Sequence, residues 1–347
     1  SLSFLPTNGM IAMEPISKPS VRAKPISNTP TSTHQIILSN SYSIMLESPQ
    51  TDCDLHDHVL MHFAGLIFQN DIYATENPGE ILGDVVQSIS FSGDKAFIVV
   101  NNSNVIQVVN RYSFKKVATI TEGLNKPRYS TSSNGKLFVT NSGTKSVSVY
   151  DLSTFAFITN ISIDKTVEKI VAANHKIYVQ NGAFGAGSIV TVIDAVANTV
   201  STTIEVGVGV NSMEEKNGIL YVMCGNNDGS ALYRINTETD TKSVVQTSSL
   251  KKATNMDVDG VNIFYTVNSG VYAMPIDATS FTQLPLFSVA DNGFSTFYGF
   301  AVIDGYIFAA DANGFTQNGI LKIYSASGTT LNTYNTQVGP NGFYLNF

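Results

Sequence analysis

The densest group of metal-ligating side chains lies near the start of the chain, within ten residues: Cys53, Asp54, His56, Asp57, His58 and His62. His56 and His58 would share one face of a strand, whereas His58 and His62 would share one face of a helix. Either pair could begin a zinc or copper site. Alternating apolar residues follow the group, which is the pattern of an ordinary strand, so we predict no metal site and no cofactor.

Side-chain patterns for catalysis are sparse in the rest of the chain. There is no Gly-x-Ser-x-Gly nucleophile elbow and no glycine-rich phosphate loop before a helix. His175 is the only histidine after residue 62. Four glutamates follow no common spacing that would bring their carboxylates together: Glu168, Glu205, Glu214 and Glu215. We therefore expect a protein without catalytic activity.

Composition excludes some partners and favours others. The 347 residues are 43% hydrophobic but only 14% charged, against roughly 25% in typical domains. The net charge of −7 argues against a nucleic-acid partner, and no window reaches the roughly 20 apolar residues of a membrane span. Low charge with abundant Asn and Thr favours an exported protein. Cys53 and Cys224 could form a disulfide, but two free thiols are the more common outcome.

A repeat of about 42 residues organises most of the chain. Six similar segments have an aromatic second residue: Phe97, Phe138, Tyr178, Tyr221, Phe264 and Phe308. The intervals between these aromatic residues are 41, 40, 43, 43 and 44 residues. A turn signal such as Asn134-Gly135 or Asp304-Gly305 comes before each segment, and Asn-Gly and Asp-Gly suit type I′ hairpin turns. A third and a fourth short strand follow. Four antiparallel strands at a constant period are typical of β-propeller blades, not of a β-sandwich or an α-solenoid.

The count of repeats predicts how the ring closes. Six repeats run from about Val86 to Gln337, and the tail from Val338 resembles the first strand of a further blade. Because a blade that begins there needs more strands, the N-terminus would supply them and remove the exposed sheet edges. We predict a seven-bladed propeller closed by pairing of N-terminal strands with the C-terminal strand. Six blades are the alternative.

Residues 1–68 do not follow the repeat. They contain six of the eleven prolines and four of the five histidines. Alternation appears only in residues 34–46 and 58–68. We interpret 1–68 as an irregular segment that supplies outer strands of the closing blade, and 69–347 as the propeller. We interpret the first third of this segment as an extended arm, and a sequence error such as a shifted reading frame is the alternative.

The blade pattern also predicts two unlike ends of the propeller. The turns between first and second strands are uniformly two residues long, and they would lie at one end, the turn face. The loops between second and third strands, and the links between blades, would lie at the other end, the variable face. Binding sites usually occupy variable loops on a rigid scaffold. Our candidate ligand-binding residues there are Asn102, Arg128, Tyr129, Asn181, Phe184, Asn211, Asn227, Asp228, Phe297, Tyr298, Asp311, Asn313 and Phe315.

Each candidate has an ordinary structural alternative. Asn and Asp side chains in loops more often stabilise their own turns, and Arg128 could form a surface ion pair. Phe184 and Phe315 could pack locally. A propeller lactonase would need a ring of inward-facing acidic residues and histidines, but His175 lies in a tight turn. We regard that activity as the least favoured function.

Short motifs in the repeat resemble a known family. Residues 138–141 read Phe-Val-Thr-Asn, which matches the element that names the YVTN-repeat propellers, and residues 178–181 and 99–102 are close variants. Residues 82–88 and 93–102 together resemble the YncE-like surface propellers of Bacteroidetes. The resemblance covers roughly residues 70–347. Relatives carry an Asn-Glu-Gly-Asn-like first strand, and this chain lacks it.

The resemblance implies a seven-bladed protein that is exported, often lipid-anchored and without enzymatic activity. Some relatives lie beside outer-membrane transporters and capture nutrients such as corrinoids or iron complexes. We therefore expect a non-catalytic extracytoplasmic binding propeller, at the cell surface or in the periplasm. Its partner would be a small-molecule nutrient, an outer-membrane transporter or another envelope protein. A structural or protein-interaction module of the cell envelope is the alternative.

Overall fold

The strands predicted from the repeat form four-stranded antiparallel sheets. The computed structural model describes residues 72–346, together with the backbone of three strands at 33–38, 42–47 and 67–69. The prediction of an all-β propeller with four antiparallel strands per blade is confirmed. The described part of the chain contains no helix long and apolar enough to span a membrane.

The first three blades are each built from four consecutive strands. Blade 1 contains β4 (Val86–Ser92), β5 (Lys95–Val100), β6 (Val105–Asn110) and β7 (Lys116–Ile120). Blade 2 contains β8 (Pro127–Ser133), β9 (Lys136–Asn141), β10 (Ser146–Asp151) and β11 (Phe157–Ser162). Blade 3 contains β12 (Ile170–Ala173), β13 (Lys176–Asn181), β14 (Ile189–Asp194) and β15 (Thr199–Glu205).

The next three blades follow the same order. Blade 4 contains β16 (Val210–Lys216), β17 (Ile219–Gly225), β18 (Ser230–Asn236) and β19 (Lys242–Thr247). Blade 5 contains β20 (Thr254–Asp259), β21 (Asn262–Val267), β22 (Gly270–Pro275) and β23 (Phe287–Ser288). Blade 6 contains β24 (Gly299–Ile303), β25 (Tyr306–Asp311), β26 (Ile320–Tyr324) and β27 (Thr330–Asn335).

The remaining sheet joins the two ends of the chain. Its strand order is β28 (Phe343–Asn346), β1 (Thr33–Leu38), β2 (Tyr42–Glu47) and β3 (Ile67–Gln69). β28 pairs antiparallel with β1 and also contacts β24 and β4, the first strands of blades 6 and 1. The consecutive strands therefore make six blades, which corrects the simple count of seven because the last sheet is not contiguous in sequence. The division at residue 68 stays a prediction.

Short helical segments lie in the connections. α1 (Ile72–Glu76) comes before blade 1, where the repeat predicted no helix. Two 3₁₀ turns lie at the variable face, at Gly293–Ser295 before blade 6 and at Asn313–Phe315 between β25 and β26. These two turns lie next to each other, so that they bring the links of the sixth blade together.

Tight turns and buried aromatic rings explain why the strands form. Asn134 and Gly135 have φ of 51° and 71°, as a type I′ turn requires, and Asp304 and Gly305 have φ of 52° and 75°. The aromatic residue of each repeat is buried on the second strand of its blade; Phe97, Phe138 and Tyr178 are 0% exposed. Burial of such a ring contributes roughly 2–3 kcal/mol, so the periodic aromatic residue is a main source of blade stability.

Polar side chains join neighbouring blades at the variable face. Thr140 donates to the Glu168 carbonyl at 2.9 Å, Asn211 to the Ala253 carbonyl at 2.9 Å, and Asn255 to the Phe297 carbonyl at 3.0 Å. Each bond joins one blade to the chain that enters the next one. These bonds hold the links in place around the propeller axis, where the candidate site lies.

Candidate functional site

A cavity of about 530 Å³ opens at the centre of the variable face. We call it the central pocket. Its lining comes from the chain that enters or joins the strands of blades 2 to 6, and includes Arg128, Lys169, Gln180, Lys252 and Phe294. This volume lies within the range of roughly 300–1,000 Å³ that is usual for small-molecule sites.

Arg128 is held in a network at the wall of the pocket. Its Nη2 lies 2.8 Å from the Glu168 carboxylate, to which its Nε also donates, and its Nη1 donates to the Gln87 side chain at 2.5 Å. The Arg128 side chain is 23% exposed and that of Glu168 is 12% exposed. Burial raises the pKa of Glu168 above its usual value, and the guanidinium opposes that shift. Arg128 therefore forms an ion pair, which the sequence offered as the structural alternative to ligand binding.

A pair of carboxyl groups lies near Lys169 on neighbouring first strands. Burial, followed by the nearby Asp257 carboxyl, raises the pKa of Glu214 to about 8, and the Lys169 ammonium opposes the shift. Burial also raises the pKa of Asp257. Glu214 accepts a bond from the Val258 N–H at 2.9 Å, and Asp257 accepts one from the Val302 N–H at 2.8 Å.

These bonds give the carboxyl pair a structural purpose. A first strand has one edge without a strand partner, so its N–H groups need acceptors from the neighbouring blade. Glu214 and Asp257 supply those acceptors. The expectation that the glutamates would stay apart from other carboxylates is wrong for Glu214, because the partner is an aspartate one repeat later.

Four aromatic side chains form a contiguous group at the mouth of the pocket: Phe184, Phe294, Tyr298 and Phe315. We call them the aromatic group. The ring of Phe294 lies 6.4 Å from Phe184, 5.8 Å from Tyr298 and 6.0 Å from Phe315, between centroids. Tyr298 and Phe315 are edge to face at 4.7 Å. Phe184 comes from blade 3 and the other three from blade 6, so the group spans blades that are not sequence neighbours.

Two members of the aromatic group hold a strained backbone. Phe184 has φ of 51° and Phe315 has φ of 62°, in the left-handed region. For a residue with a Cβ this region costs about 1–2 kcal/mol relative to the right-handed one. Phe184 is also 87% exposed and Phe315 is 39% exposed. Strain and exposure together are unusual for residues that only complete a turn.

Gln180 places an unpartnered acceptor at the pocket. The side chain is 3% exposed, and its Nε2 donates to the carbonyls of Gly182 at 2.9 Å and Val210 at 3.4 Å. The two acceptors fix the orientation of the amide, which leaves Oε1 buried with no hydrogen-bond partner. A buried polar atom of this kind is costly unless a bound group satisfies it.

Six of the thirteen sequence candidates line the central pocket: Arg128, Tyr129, Phe184, Asn211, Phe297 and Tyr298. Tyr129 is half-buried, and burial raises the pKa of its hydroxyl. Asn211 uses its amide to bond the carbonyls of Gly209 and Ala253, so it shapes the wall. Phe297 is 6% exposed and packs edge to face on Phe300.

Phe315 lies beside a second cavity, of about 850 Å³, which it lines together with Tyr298, Ile81, Val338 and Tyr73. Tyr298 lines both cavities, so the two openings adjoin at the aromatic group. The Tyr73 side chain is 1% exposed and its hydroxyl has no partner.

The other six candidates lie outside the central pocket. Asn181 is 4% exposed and bonds the Thr166 carbonyl and the Thr191 hydroxyl, so it is a structural residue of its loop. Asn102 donates to the Asp84 carboxylate. Asp311 accepts bonds from the Asn292 side chain and the Asn313 N–H.

The remaining candidates lie on exposed loops. Asn313 donates to the Asn318 carbonyl. Asp228 lines a separate cavity of about 430 Å³ beside blade 4, and Asn227 is exposed next to it. These positions follow the ordinary alternative for loop Asn and Asp, because their partners are mostly in their own loops.

Several lining residues were absent from the sequence candidates: Glu168, Lys169, Gln180, Lys252, Asn255, Asn268 and Phe294. The repeat interval could have found three of them. Glu168 and Lys169 lie 40 residues after Arg128 and Tyr129, and Asn255 lies 44 residues after Asn211. Phe294 has no counterpart in the other repeats, because the link before blade 6 has its own 3₁₀ turn.

The candidate metal ligands between Cys53 and His62 lie outside the described residues. Among the residues that the structure describes, no three His, Cys, Asp or Glu side chains are grouped to hold a metal ion. Cys224 is a free, buried thiol, and burial raises its pKa to about 12.

Comparison with known proteins identifies the family. A family described as a domain of unknown function, DUF5074, matches residues 64–256, which is more than half of the chain. The chain belongs to this family. No curated protein matches the sequence.

Solved structures show the same fold in proteins of different kinds. A quinonprotein alcohol dehydrogenase-like protein from Bacteroides thetaiotaomicron VPI-5482 has a TM-score of 0.62 at 15% identity, covering 80% of this chain and 73% of that one. Hydrazine synthase from Kuenenia stuttgartiensis has a TM-score of 0.60 at 16% identity, covering 76% and 92%. Apo AztD from Citrobacter koseri has a TM-score of 0.55 at 11% identity, covering 90% and 97%. At these identities the likeness shows the propeller fold alone.

Proposed function

We propose that this DUF5074 protein is a non-catalytic, extracytoplasmic binding propeller that captures a small molecule in the central pocket. The observation that carries the proposal is a cavity of about 530 Å³ on the axis of the variable face, with the aromatic group at its mouth. This volume is typical of ligand sites, and the lining combines convergent polar side chains with the exposed aromatic surface. The exposed ring of Phe294 would be covered by the ligand.

The surroundings of the carboxyl pair support a non-catalytic role. Glu214 and Asp257 each accept a backbone N–H from the neighbouring first strand, so that they stabilise the inner edge of the blades. The Arg128–Glu168 pair is likewise engaged in a fixed network with Gln87. These charged groups are used for structure, whereas the apolar surface at the mouth is open.

Native mass spectrometry of the full chain, purified from its own source, tests the proposal. We expect a bound small molecule whose mass disappears when Phe294 is replaced by Ala. Asn227→Ala is the matched control, because Asn227 is an exposed loop residue outside the pocket. A clean unbound mass for the wild type, with no co-purified molecule, contradicts capture.

Exposed apolar side chains at the same end favour a second candidate, docking to an envelope protein such as an outer-membrane transporter. Ile81 is 82% exposed and Val338 is 49% exposed, and both line the second cavity beside the aromatic group. Exposed apolar surface of this kind often marks a protein interface. A stable complex in the same mass spectrum, lost in Ile81→Asp but kept in Phe294→Ala, would favour docking over capture.

We also propose that the antiparallel sheet of β28, β1, β2 and β3 closes the ring between blades 6 and 1. Arg111 Nε donates to the Asn346 side chain at 2.6 Å, and Asn346 Nδ2 donates back to the Arg111 carbonyl at 2.7 Å. Asn341 Nδ2 lies 3.3 Å from the Val86 carbonyl. Removal of residues 338–347 should therefore lower the melting temperature, and an unchanged melting temperature contradicts this closure.

Export remains part of the proposal, with or without a lipid anchor. It is supported by the low proportion of charged residues and by the family resemblance of the repeat motifs. Fractionation of source cells tests it, since the proposal expects the protein in the periplasmic or membrane fraction, and recovery in the cytoplasmic fraction contradicts it.

A further inference from the structure

The charge of the central pocket is opposite to that of the whole chain. The chain has 27 acidic and 20 basic side chains, yet the pocket lining has three cations, Arg128, Lys169 and Lys252, and one carboxylate, Glu168. Glu168 is already paired with Arg128. Within the described part of the chain, neither lysine ammonium has an ion pair within 4.0 Å. A concave site of one sign concentrates ligands of the opposite sign.

Electrostatic attraction to the carboxyl pair helps to hold Lys169 in its position. The carboxyl pair of Glu214 and Asp257 attracts its ammonium electrostatically. Burial raises the pKa of both carboxyls, which weakens their attraction for the ammonium of this lysine. Lys252 is exposed at the other side of the pocket lining, and nothing in the described residues neutralises it.

The aromatic group supplies a surface for a flat ligand. Phe294 contacts Phe184, Tyr298 and Phe315, so its own position is fixed while it remains 69% exposed. Phe184 and Phe315 keep a left-handed backbone to present their rings there. A planar aromatic body stacked on Phe294 would bury this surface without any need for a specific hydrogen bond.

Gln180 adds a third and independent requirement. Gln180 belongs to the pocket lining and its buried Oε1 has no hydrogen-bond partner, so a donor from the ligand would satisfy it. The ligand would therefore present an N–H or O–H group as well as its ring.

We infer that the central pocket selects a planar aromatic anion that carries a hydrogen-bond donor, with Lys169 and Lys252 holding the anionic group and Phe294 contacting the ring. This inference rests on the proposed capture function. It names the ligand class by charge, shape and donor, and it assigns the two lysines as specificity-determining residues.

Two fluorescent probes with the same ring system test the inference on the full chain. One is 8-anilinonaphthalene-1-sulfonate, which has fused rings, an N–H and a sulfonate. The other is N-phenyl-1-naphthylamine, which keeps the rings and the N–H but has no anionic group. We expect the sulfonate to bind about tenfold more tightly, and its advantage to shrink as salt screens the lysines.

Three variants separate the parts of the site. Lys252→Gln should weaken sulfonate binding about fivefold and leave the neutral probe unchanged, because an exposed ion pair contributes little more than that. Lys251→Gln is the matched control, since Lys251 is exposed beside it but outside the pocket lining. Phe294→Ala should weaken both probes about tenfold. Each variant is checked for unchanged thermal unfolding.

The outcomes distinguish failure of the anion selectivity from failure of the proposed capture function. Equal binding of both probes, with no effect of Lys252→Gln, overturns the selection of anions while the pocket still binds. Absence of binding, or binding that Phe294→Ala does not weaken, overturns the capture function as well. Anion preference lost in Lys252→Gln and kept in Lys251→Gln supports the inference.

Discussion

The two ends of the propeller use the same backbone conformation in opposite ways. At the turn face, positive φ falls on residues such as Asn134, Gly135 and Asn198. These residue types adopt the left-handed region with little or no penalty. At the variable face, Phe184 and Phe315 hold positive φ with exposed rings. Most residues with positive φ at the turn face therefore suit their own turns, whereas Phe184 and Phe315 at the variable face depart from local preference with exposed rings.

Two other phenylalanines show what the difference means. Phe114 and Phe155 have φ of 55° and 61° and occupy equivalent turns between third and fourth strands. Phe114 is 1% exposed, and Phe155 packs edge to face on Phe97 at 6.1 Å. Burial compensates the strain in these two turns. No comparable burial compensates Phe184, so its strain is retained for the surface that it presents.

The largest expected effect on the free energy of unfolding comes from replacing the buried Phe114. Phe114→Ala should lower the free energy of unfolding by about 3–5 kcal/mol, because a buried ring is lost and a cavity remains. Phe184→Ala should change the same quantity by less than about 0.5 kcal/mol, since its ring is exposed. Chemical denaturation measures both. Equal losses would contradict the distinction between the two ends.

A pH dependence should originate at the carboxyl pair on the first strands of blades 4 and 5. The folded-state pKa of Glu214 is raised from 4.5 to about 8, so its stabilising contribution is present below pH 4.5 and is lost as pH rises to 8. Glu214→Gln should remove about 2 kcal/mol of this pH dependence, because the shift is shared with Asp257. Unfolding curves at pH 5 and pH 8.5 measure it. Glu215→Gln, next in the chain, should keep the wild-type dependence.

At the turn face, a lysine should matter for a structural reason. Lys136 Nζ donates to the carbonyls of Ala195 and Val196 and to the Asn198 side chain at 2.8–3.0 Å, which joins blade 2 to blade 3. Lys136→Met should lower the free energy of unfolding by about 1–2 kcal/mol. Lys252→Met, at the variable face, should leave stability unchanged. A larger loss of stability in Lys252→Met than in Lys136→Met would contradict this contrast between the two faces.

The smallest expected effect on stability tests directly whether Phe184 keeps its strained backbone for binding. Phe184→Asn keeps a side chain that tolerates positive φ, and should raise the free energy of unfolding by about 0.5–1 kcal/mol. The same change should abolish the ring contact with Phe294. Stability that rises while probe binding falls indicates that strain is retained for binding. A loss of stability would instead show that Phe184 supports its loop.

Much of the fold was predictable because its signals are local and repeated. The aromatic position of each second strand and the turn before it recur at an almost constant interval, so Phe138 and Asn134-Gly135 identify their elements without tertiary information. The candidate site was only partly predictable. Arg128, Tyr298 and Phe184 were found because loops at one end of a propeller converge. Asn181 precedes Phe184 by only three residues, yet its side chain is buried and forms hydrogen bonds with Thr166 and Thr191.

The residues that sequence reasoning missed depend on meetings between distant blades. Phe294 comes from the link to blade 6 and meets Phe184 of blade 3, a pair with no sequence signal in common. Glu214 and Asp257 occupy the same position in consecutive repeats, opposite Tyr221 and Phe264, but their approach depends on how the first strands of neighbouring blades lie beside each other. Neither relation can be seen in a single strand pattern.

By itself, the sequence determined the blade pattern, the turn positions and the division into a uniform and a variable end. These follow from alternation, aromatic burial and turn chemistry, which act over a few residues. Only the tertiary structure decided which loop side chains face the axis, and that β28 pairs with β1. Closure of the ring brings together residues far apart in the chain. That is why two phenylalanines with similar positive φ differ in role: Phe114 is buried in the core, whereas Phe184 is exposed at the pocket.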